Sequence, residues 1–314
     1  MTPLLELLAD GQFHTGPQLA EALGVSRAAI NLQVQAARAR GMEIESVQSR
    51  GYRMPGGAQW LSESRLASTL RRSYPAVQVK VFDSIDSTNE RALAQAAPWP
   101  ELQVIMAEHQ TSGRGRRGRN WVSPWGHNLY MSCAAAFTDG LPAGVSIRAG
   151  CAVAGVLHKH GVKGVGLKWP NDLQVAGHKV GGILVEIQGD PTGHCRAVVG
   201  LGLNLKTPTK AGVQIDQPYA DLRQVGLPDT VSRSLLAGRV AKALADALLK
   251  PRKDWVAQFT RWDVLAGQAV RTRGAQDSMQ GVAAGIDATG NLLIQTEQGV
   301  RGVHSGEVSV RADA

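Results

Sequence analysis

The sequence is poor in cysteine and has no long hydrophobic run. Its three cysteines, Cys133, Cys151 and Cys195, stand far apart, without a C-x-x-C pair or a neighbouring histidine pattern. This spacing excludes a disulfide framework and a zinc finger, and it is typical of reduced thiols. No stretch approaches the ~20 apolar residues that a membrane-spanning helix requires, and MTPLLELLADGQFH lacks the basic region of a signal peptide. We therefore expect a cytoplasmic protein with no membrane segment.

Several nucleotide-binding and catalytic motifs are also missing. No G-x-G-x-x-G stands at a strand-to-helix turn, which argues against a Rossmann fold, and there is no G-x-x-x-x-G-K-[ST] phosphate loop. The sequence has no Ser, His and Asp in the order of a known catalytic triad. It has no cluster of metal ligands either, so no metal site is assigned within the protein itself. A nucleotide would have to be held by a different kind of loop.

Positive charge is concentrated in one short segment. The chain has 314 residues, 43% hydrophobic and 19% charged, with a formal net charge of +8. This composition fits two or three globular domains. Residues 1–58 are neutral, with five arginines against five acidic residues, whereas residues 113–119 read GRGRRGR and hold four arginines. The strongest basic focus is therefore this segment, called here the Arg/Gly loop.

The N-terminal segment has the pattern of a winged helix-turn-helix. Helices are predicted over residues 3–10, 16–24 and 26–40. Val25, Ile30 and Val34 mark one apolar face of the third helix, which would be the reading helix. The alternating run after it predicts a wing whose turn lies near residues 49–51. A small packing module with no DNA role is the alternative. The residues expected to contact DNA are Ser26, Arg27, Asn31, Gln35 and Arg50.

Beyond a linker-like stretch at 55–62, strands alternate with helices. Strands are predicted over residues 77–82, 103–108, 127–137, 164–169, 179–188 and 196–205, and helices over 87–97, 147–161 and 232–250. This order predicts an α+β fold, a mixed sheet with helices on one face. From Gly267 onward, short strand-like runs predict a separate small β-barrel. The predicted domains are 1–58, 62–265 and 266–314.

Two stretches place polar side chains near the ends of predicted strands. In DSIDSTNERAL, Ser87 or Thr88 could cap the following helix with Glu90 completing a capping box, or the Ser-Thr-Asn group could face a ligand. In KWPNDLQV, Lys168 stands at a strand end before a tight turn. There it could serve the turn alone, or meet a phosphoryl or carboxylate group.

Two further stretches are rich in glycine. In the Arg/Gly loop, glycine lets the backbone approach a phosphate and arginine supplies cationic forks. Ordering such a loop costs entropy, so we expect it to be mobile until a ligand binds. A disordered or nucleic-acid-binding segment is the alternative, although the loop stands between strand-like runs. In VGLGLNL, Gly200 and Gly202 permit close approach and Asn204 could contact a purine edge, although simple packing is an equal reading. With Trp121 for stacking, these stretches together predict a site that adenylates a carboxylate.

The segments GRGRRGRNW, KWPND and KVGGILVE resemble those of the biotin protein ligases. The N-terminal GQFHTGPQLAEALGVSRAAIN and the later RGYRMP resemble the bifunctional form, in which the ligase is also the repressor of the biotin operon. The resemblance extends over essentially the whole chain. It implies a winged helix-turn-helix, a catalytic domain like that of class II aminoacyl-tRNA synthetases, and an SH3-like C-terminal barrel.

The resemblance also implies a two-step reaction. Biotin and ATP, with Mg²⁺, give biotinyl-5′-AMP, and a lysine of the biotin carboxyl carrier protein of acetyl-CoA carboxylase then takes the biotinyl group. Lys168 and Arg116 would be catalytic. Biotin would contact Ser87, Thr88, Asn89, Gln110, Arg114, Gly115, Arg116 and Lys168. ATP or the adenylate would contact Arg117, Arg119, Trp121, Lys179 and Asn204.

Further partners implied by the resemblance are biotin operon DNA and a second copy of the chain, in a ligand-promoted dimer. Leu32 and Gln33 stand where the reading helix should carry cationic or more polar groups, and residues 206–222 offer no tryptophan to pack on adenine. Three alternatives to the bifunctional form stay open. They are a ligase whose winged helix has no regulatory role, a biotin-sensing transcription factor without catalysis, and a lipoate ligase of the same fold.

Overall fold

The computed structural model describes residues 1–274, 279–304 and 308–312, and its N-terminal unit is a winged helix-turn-helix. The elements of this unit are α1 (Pro3–Leu8), α2 (Gly16–Leu23), α3 (Arg27–Ala39), β1 (Glu45–Val47) and β2 (Gly51–Arg53). Helix α2 begins with a capping box between Thr15 and Gln18, and it ends at Gly24, whose φ of 64° is left-handed. The wing turn contains Ser49 at φ 65°. The predicted pattern is confirmed.

The winged helix has its own hydrophobic core. Ile30 and Val34 of α3 are fully buried and belong to one cluster with Leu5 and Leu8 of α1. Val25 is 37% exposed, so its assignment to the apolar face is wrong. It precedes the N-cap of α3 and lies outside the helix, where the helical periodicity of side chains no longer applies.

A seven-stranded sheet forms the centre of the molecule. Its strands are β3 (Gln78–Ile85), β4 (Leu102–Gln110), β5 (Leu129–Phe137), β6 (Val165–Lys168), β7 (Asp172–Val175), β8 (His178–Gly189) and β9 (Cys195–Leu203). They lie in the order β3-β4-β5-β9-β8-β7-β6. The β3–β4 pair is parallel and the other pairs are antiparallel. The sheet is therefore mixed, as predicted.

Helices cover both faces of this sheet. They are α4 (Glu63–Arg71), α5 (Thr88–Leu93), α6 (Val145–Lys159), α7 (Thr209–Gly212), α8 (Arg233–Leu249) and α9 (Trp255–Trp262). Helices α4, α6 and α8 pack on one face, where most of the core lies. Helix α5 lies on the other face, with Ala92 against Ile105, Ala134 and Val198. The expectation of helices on one face alone is wrong, because successive strand residues point to opposite faces and the second face is apolar enough to bury a short helix.

Four of these elements were not predicted: α4, α7, α9 and β7. Helix α4 buries only Leu66, Ala67 and Leu70, too few apolar positions to stand out from the linker composition before it. Strand β7 has only four residues and pairs between β6 and β8. Its first residue, Asp172, belongs to the KWPND segment, which was interpreted as a turn, so the strand was not predicted.

The C-terminal unit is a five-stranded antiparallel sheet, as the short strand-like runs predict. Its strands are β10 (Ala269–Gly274), β11 (Gln280–Ile286), β12 (Leu292–Thr296), β13 (Gly299–Val303) and β14 (Val308–Ala312). They lie in the order β13-β12-β11-β10-β14. The last strand-like run of the sequence, VRGVHSGEVSV at 300–310, contains parts of two strands, and residues 305–307 between them lie outside the described residues.

The linker between the winged helix and the sheet is an ordered connection. Glu108 and Arg233 are almost fully buried and form an ion pair, and Glu108 also accepts a hydrogen bond from the Leu61 backbone N–H at 2.6 Å. Trp125 packs into the core of the winged helix and donates from Nε1 to the Arg40 carbonyl at 2.9 Å. Since Trp125 follows the Arg/Gly loop in the chain, the winged helix rests on the segment that leads out of that loop.

Candidate active site

A cavity of about 880 Å³ opens on the face of the sheet that carries α5. Strands β8 and β9 form its floor, the Arg/Gly loop borders it, and residues 214–219 close another side. Every residue that the sequence assigns to biotin or to ATP lines this cavity: Ser87, Thr88, Asn89, Gln110, Arg114, Gly115, Arg116, Arg117, Arg119, Trp121, Lys168, Lys179 and Asn204. The fold therefore brings the four candidate stretches together in one place.

The start of α5 supplies buried polar groups. Ser87 is the N-cap residue, but its side chain makes no capping hydrogen bond, so the capping-box interpretation is wrong. Instead, Gln110 Oε1 accepts from the Thr88 backbone N–H at 2.9 Å. Ser132 Oγ on β5 lies 2.7 Å from Thr88 Oγ1 and 2.5 Å from Asn89 Oδ1. Hydrogen bonds across the sheet, rather than a helix cap, fix these side chains.

Two glycines of β9 make room for side chains of the site. A Cβ at Gly200 would lie 2.3 Å from Asn89 Oδ1, and a Cβ at Gly202 would lie 2.3 Å from the Trp121 ring. Both distances are far inside van der Waals contact, so any larger residue would displace Asn89 or Trp121. The alternating glycines of VGLGLNL therefore shape the cavity floor.

The Arg/Gly loop folds into a tight turn in this structure. The Gly115 N–H donates to the Arg119 carbonyl at 2.7 Å. At the tip, Arg117 has φ 59° and Gly118 has φ 71°. The left-handed conformation costs a residue with a Cβ about 1–2 kcal/mol, so Arg117 holds this geometry under strain. Arg117 and Arg119 are exposed and line the cavity.

Two other arginines connect the loop to the rest of the site. Arg114 pairs with Glu90 at 2.5 Å and with Glu186 at 3.0 Å. Arg116 is half-buried and donates from Nη1 to Asn171 Oδ1 at 3.3 Å. Burial lowers the pKa of Arg116 from its usual value of 12.5, although the guanidinium stays charged at neutral pH. The loop therefore contacts both α5 and the opposite rim of the cavity.

The turn of residues 168–171, called here the KWPN turn, is anchored to two other segments of the chain. Trp169 is 2% exposed and donates from Nε1 to the Gly290 carbonyl of the C-terminal unit at 3.0 Å. Asn171 donates from Nδ2 to the Ile183 carbonyl at 2.8 Å, and its own carbonyl accepts from the Ile183 N–H at 2.9 Å. The lysine that begins the turn ends β6 and lines the cavity. Its backbone position is therefore fixed.

Lys179 and Trp121 form another part of the cavity wall. Lys179 Nζ pairs with Asp172 at 2.8 Å and lies 5.6 Å from the centroid of the Trp121 ring. Asn204 donates from Nδ2 to the carbonyls of Lys179 and Ala220, each at 3.4 Å. The Asn204 amide nitrogen is thus engaged within the fold.

Cationic side chains outnumber acidic ones around the cavity. The lining contains the four arginines of the Arg/Gly loop together with Lys168 and Lys179, against Asp172 and Asp216. Clefts lined by one sign of charge attract ligands of the opposite sign. The cavity is therefore suited to an anionic ligand, such as a nucleotide phosphate or a carboxylate.

Two contributors to the site were not assigned from the sequence. Ser132 is fully buried on β5, and Glu186 on β8 accepts from Asn89 Nδ2 at 2.7 Å. A serine or a glutamate inside a strand carries no signal by itself. For Glu186 a signal did exist, because it is the last residue of the KVGGILVE segment. For Ser132 there was none.

The winged helix presents the predicted DNA contacts on its surface. All of them are exposed: Ser26, Arg27, Asn31, Gln35 and Arg50. Ser26 also caps α3, since its hydroxyl accepts from the Ala29 N–H at 3.2 Å. The Arg50 guanidinium lies 4.1 Å from the centroid of the Phe13 ring. Leu32 is 71% exposed on α3, so the reading surface is partly apolar.

Within residues 1–274, 279–304 and 308–312, no helix is long and apolar enough to cross a membrane, and no group of three or more His, Cys, Asp or Glu side chains is placed to hold a metal. Burial raises the pKa of Cys133 and of Cys151 to about 12. These two thiols therefore stay protonated and are poor nucleophiles.

The fold and the cavity together define a class of protein. A winged helix-turn-helix is joined to a mixed sheet whose cavity combines buried amide and hydroxyl groups with several cations. The first unit is built to bind DNA, and the second is built to condense a small acid with a nucleotide. The class is therefore a DNA-binding regulator fused to a ligase.

Comparison with known proteins identifies the family. The chain matches the models of the HTH domain over residues 2–53, the Biotin/lipoate A/B protein ligase family over 81–204, and the Biotin protein ligase C terminal domain over 266–311. It is 36% identical to the bifunctional ligase/repressor BirA of Salmonella typhimurium, over 98% of this chain and 97% of that protein. It is 34% identical to the Escherichia coli protein of the same name, over 98% and 96%. The chain therefore belongs to the biotin protein ligase family, in its bifunctional ligase/repressor branch.

A solved structure supports the same assignment. A variant of the biotin protein ligase from Aquifex aeolicus, in complex with biotin, aligns with a TM-score of 0.61 at 25% identity. The alignment covers 75% of this chain and 99% of that one.

Proposed function

We propose that the chain condenses biotin with ATP to biotinyl-5′-AMP, and then transfers the biotinyl group to a lysine of the biotin carboxyl carrier protein of acetyl-CoA carboxylase. The observation that supports this most is the single cavity that gathers the start of α5, the Arg/Gly loop and Lys168. Relatives named bifunctional ligase/repressor favour biotin over lipoate and catalysis over sensing alone.

In the first step, a carboxylate oxygen of biotin attacks the α-phosphorus of ATP and pyrophosphate leaves. Both reactants are anions, so the transition state gains most from cations that are already in place. Lys168 supplies such a cation, because the KWPN turn fixes its backbone through Trp169 and Asn171. Arg116, which reaches over from the Arg/Gly loop, supplies a second.

Binding of the two substrates divides the cavity. The biotin side comprises Ser87, Thr88, Asn89, Gln110, Arg114, Gly115, Arg116 and Lys168. The ATP side comprises Arg117, Arg119, Trp121, Lys179 and Asn204, with the two arginines on phosphates and Trp121 stacking on adenine. Mg²⁺ enters with the nucleotide, because magnesium is usually held by phosphates, waters and few protein ligands.

In the second step, the uncharged amine of the acceptor lysine attacks the acyl carbon of biotinyl-5′-AMP, and AMP leaves. The adenylate hydrolyses if water reaches it first, so the Arg/Gly loop must keep it enclosed until the acceptor arrives. An exposed cationic loop that closes on a phosphate is suited to this task, because its glycines can order when the ligand compensates for the lost entropy.

The winged helix gives the chain a second activity, repression of transcription from the biotin operon by binding its DNA. Helix α3 would enter the major groove with Ser26, Arg27, Asn31 and Gln35, while Arg50 on the wing contacts the backbone. The unit is electrically neutral, so we expect few phosphate contacts and a shallow dependence of binding on salt. A homodimer promoted by the bound adenylate would supply the second half-site contact.

The proposed organisation is a cytoplasmic protein with domains at 1–58, 62–265 and 266–314. A separate hydrophobic cluster in the winged helix supports the first boundary. The change from the α/β pattern to short antiparallel strands after α9 supports the second.

The decisive test incubates the full chain with labelled biotin, ATP, Mg²⁺ and a purified carrier domain. We expect labelled carrier and release of pyrophosphate, and loss of both with Lys168→Ala. A parallel reaction with labelled lipoate should give no labelled carrier. Transfer of lipoate instead of biotin would favour the lipoate ligase, and binding of biotin without pyrophosphate release would favour a sensor.

The regulatory activity is tested by gel shift on the DNA upstream of the biotin genes in the genome that encodes this chain. We expect a shifted band that appears only when biotin and ATP are both present. Normal carrier labelling with no shift under any condition would leave a ligase whose winged helix has no regulatory role.

A further inference from the structure

One carboxylate beneath the cavity joins two parts of the site that are far apart in the sequence. Glu186 Oε2 on β8 accepts from Asn89 Nδ2 at 2.7 Å. Its two oxygens also lie 3.0 and 3.1 Å from Arg114 Nη2. Asn89 belongs to the start of α5 and Arg114 to the Arg/Gly loop. Among the described residues, the cavity lining includes Leu184 but not Glu186, and the hydrogen bonds of this carboxylate go to other side chains.

Both protons of the Asn89 amide are donated to acceptors on the sheet. Besides Glu186, its Nδ2 donates to the Leu184 carbonyl at 3.3 Å, which uses its second proton. Its Oδ1 lies 2.5 Å from the buried Ser132 Oγ. Asn89 itself is 3% exposed, in the space that Gly200 leaves open. Asn89 therefore fixes the start of α5 on the sheet, and Glu186 holds the Asn89 side chain in place.

Arg114 is held by two carboxylates that differ in position and exposure. It pairs with Glu90 at 2.5 Å and with Glu186 at 3.0 Å. Glu90 lies on α5 itself and is 44% exposed, whereas Glu186 is 27% exposed and also holds Asn89. Charge-assisted hydrogen bonds are stronger when water is partly excluded. Glu186 is thus the better placed of the two to set geometry, and Glu90 provides a matched comparison.

We propose that Glu186 is a positioning residue for biotin. It sets the start of α5 and the base of the Arg/Gly loop at a fixed separation, and this separation defines the biotin end of the cavity. The inference rests on the proposed ligase function. It predicts that loss of Glu186 weakens biotin binding while the chemical step, which depends on Lys168 and Arg116, continues at a similar rate.

The test uses the full chain and two readouts, biotin-dependent exchange of pyrophosphate into ATP and equilibrium binding of biotin without ATP. For Glu186→Ala we expect KM and Kd for biotin to rise about 30-fold, from the loss of charge-assisted hydrogen bonds to two partners, with kcat within about threefold. Glu186→Gln keeps an acceptor for Asn89 and should raise both constants only about fivefold. Glu90→Gln should change them by no more than about twofold.

A double-mutant cycle checks the route through Asn89. Once Asn89→Ala has removed the contact between Asn89 and Glu186, adding Glu186→Ala should raise the biotin Kd only by the small factor seen with Glu90→Gln. If the biotin Kd of the double variant rises by the product of the two single-variant factors, the proposal is overturned, because Glu186 then acts independently of Asn89.

Other outcomes also decide the matter. Equal rises in the biotin Kd with Glu186→Ala and Glu90→Gln would contradict the positioning role. A fall in kcat with an unchanged KM for biotin would contradict it as well. If Glu186→Ala does not fold, as judged by thermal unfolding, the Glu186→Gln and Glu90→Gln pair decides by the same criteria. A parent chain that binds biotin but exchanges no pyrophosphate would contradict the proposed ligase function, while the binding constants would still test Glu186.

Discussion

The KWPN turn and the Arg/Gly loop both deliver cations to one cavity, but they are held in opposite ways. The turn buries Trp169 against the C-terminal unit and locks Asn171 onto β8 through two hydrogen bonds. The Arg/Gly loop has an exposed tip with a left-handed arginine, and its contacts are made through side chains at the rim. One segment is part of the core, and the other rests on the surface of the site.

This difference fits two separate demands of a two-step reaction. Stabilising charge in the transition state requires a cation that does not have to move, because reorganisation would cost part of the gain. Retaining a reactive adenylate requires a cover that admits substrates, closes and then opens for the acceptor. The KWPN turn is suited to the first demand and the Arg/Gly loop to the second. Substitutions in the two segments should therefore fail in different ways.

The largest effect is expected for Lys168→Ala. Removal of the fixed cation should lower the rate of biotinyl-5′-AMP formation by about a thousandfold, with little change in the unfolding temperature. Single-turnover release of pyrophosphate measures the rate. Lys163→Ala is the matched control, because Lys163 is an exposed lysine just before the same strand β6. Comparable losses in the two variants would mean that general charge, and not the fixed position, matters.

A smaller effect of a different kind is expected for Arg116→Gly. The variant should still form the adenylate but release it about a hundredfold faster, since the loop loses its charge-assisted contact across the cavity. Dissociation of labelled adenylate from the purified complex measures this. Arg117→Gly should instead raise KM for ATP with less effect on retention, because Arg116 still reaches Asn171. Equal retention of the adenylate by the Arg116→Gly variant and the parent would contradict the role of the loop as a cover.

The segment that follows the Arg/Gly loop should make the fold sensitive to acid through His127. Burial, with Arg233 and Lys206 nearby, lowers the pKa of His127 from 6.5 to about 4. The unfolded chain therefore binds the proton more tightly, so stability is full above pH 6.5 and falls as the pH drops from 6.5 towards 4. The loss should reach up to about 3 kcal/mol.

Urea unfolding at a series of pH values measures this loss, and His127→Gln is the comparison. The variant has no imidazole to titrate, so its stability should decline less over the same window. Parallel curves for the two proteins would assign the acid sensitivity to other groups.

Residues at turns and strand ends could be assigned from the sequence, because their signals are local. Lys168 and the Arg/Gly loop were singled out on this basis and line one cavity. The role of Arg116 within the loop came from the resemblance. Ser132 was not, because its role follows from register. It stands opposite Gly200 in the β5–β9 pair, next to the space that receives Asn89. Strand register depends on the whole sheet, and no short stretch of sequence encodes it.

The same reasoning explains what was missed in the fold. The strands, the long helices and the winged helix followed from periodicity, which each segment carries by itself. The contact of Trp125 with the Arg40 carbonyl joins units that are separated by the linker. The position of α5 on the second face depends on Ile105, Ala134 and Val198, which come from three different strands. Such contacts arise only when the units are assembled.

The smallest effect, and the one that tests the anchoring of the KWPN turn most directly, is expected for Trp169→Phe. Phenylalanine keeps the apolar ring but leaves the Gly290 carbonyl without its donor, so we expect a loss of about 2 kcal/mol in the free energy of unfolding. Trp99→Phe is the control, because its Nε1 also donates to a backbone carbonyl, that of Gln95 at 3.2 Å, but only within a local turn. The control should lose less than about 1 kcal/mol. If the two losses are equal, the C-terminal unit does not stabilise the KWPN turn, and the contrast with the Arg/Gly loop weakens. If Trp169→Phe alone also slows adenylate formation, the contact between the two units helps to keep Lys168 in place.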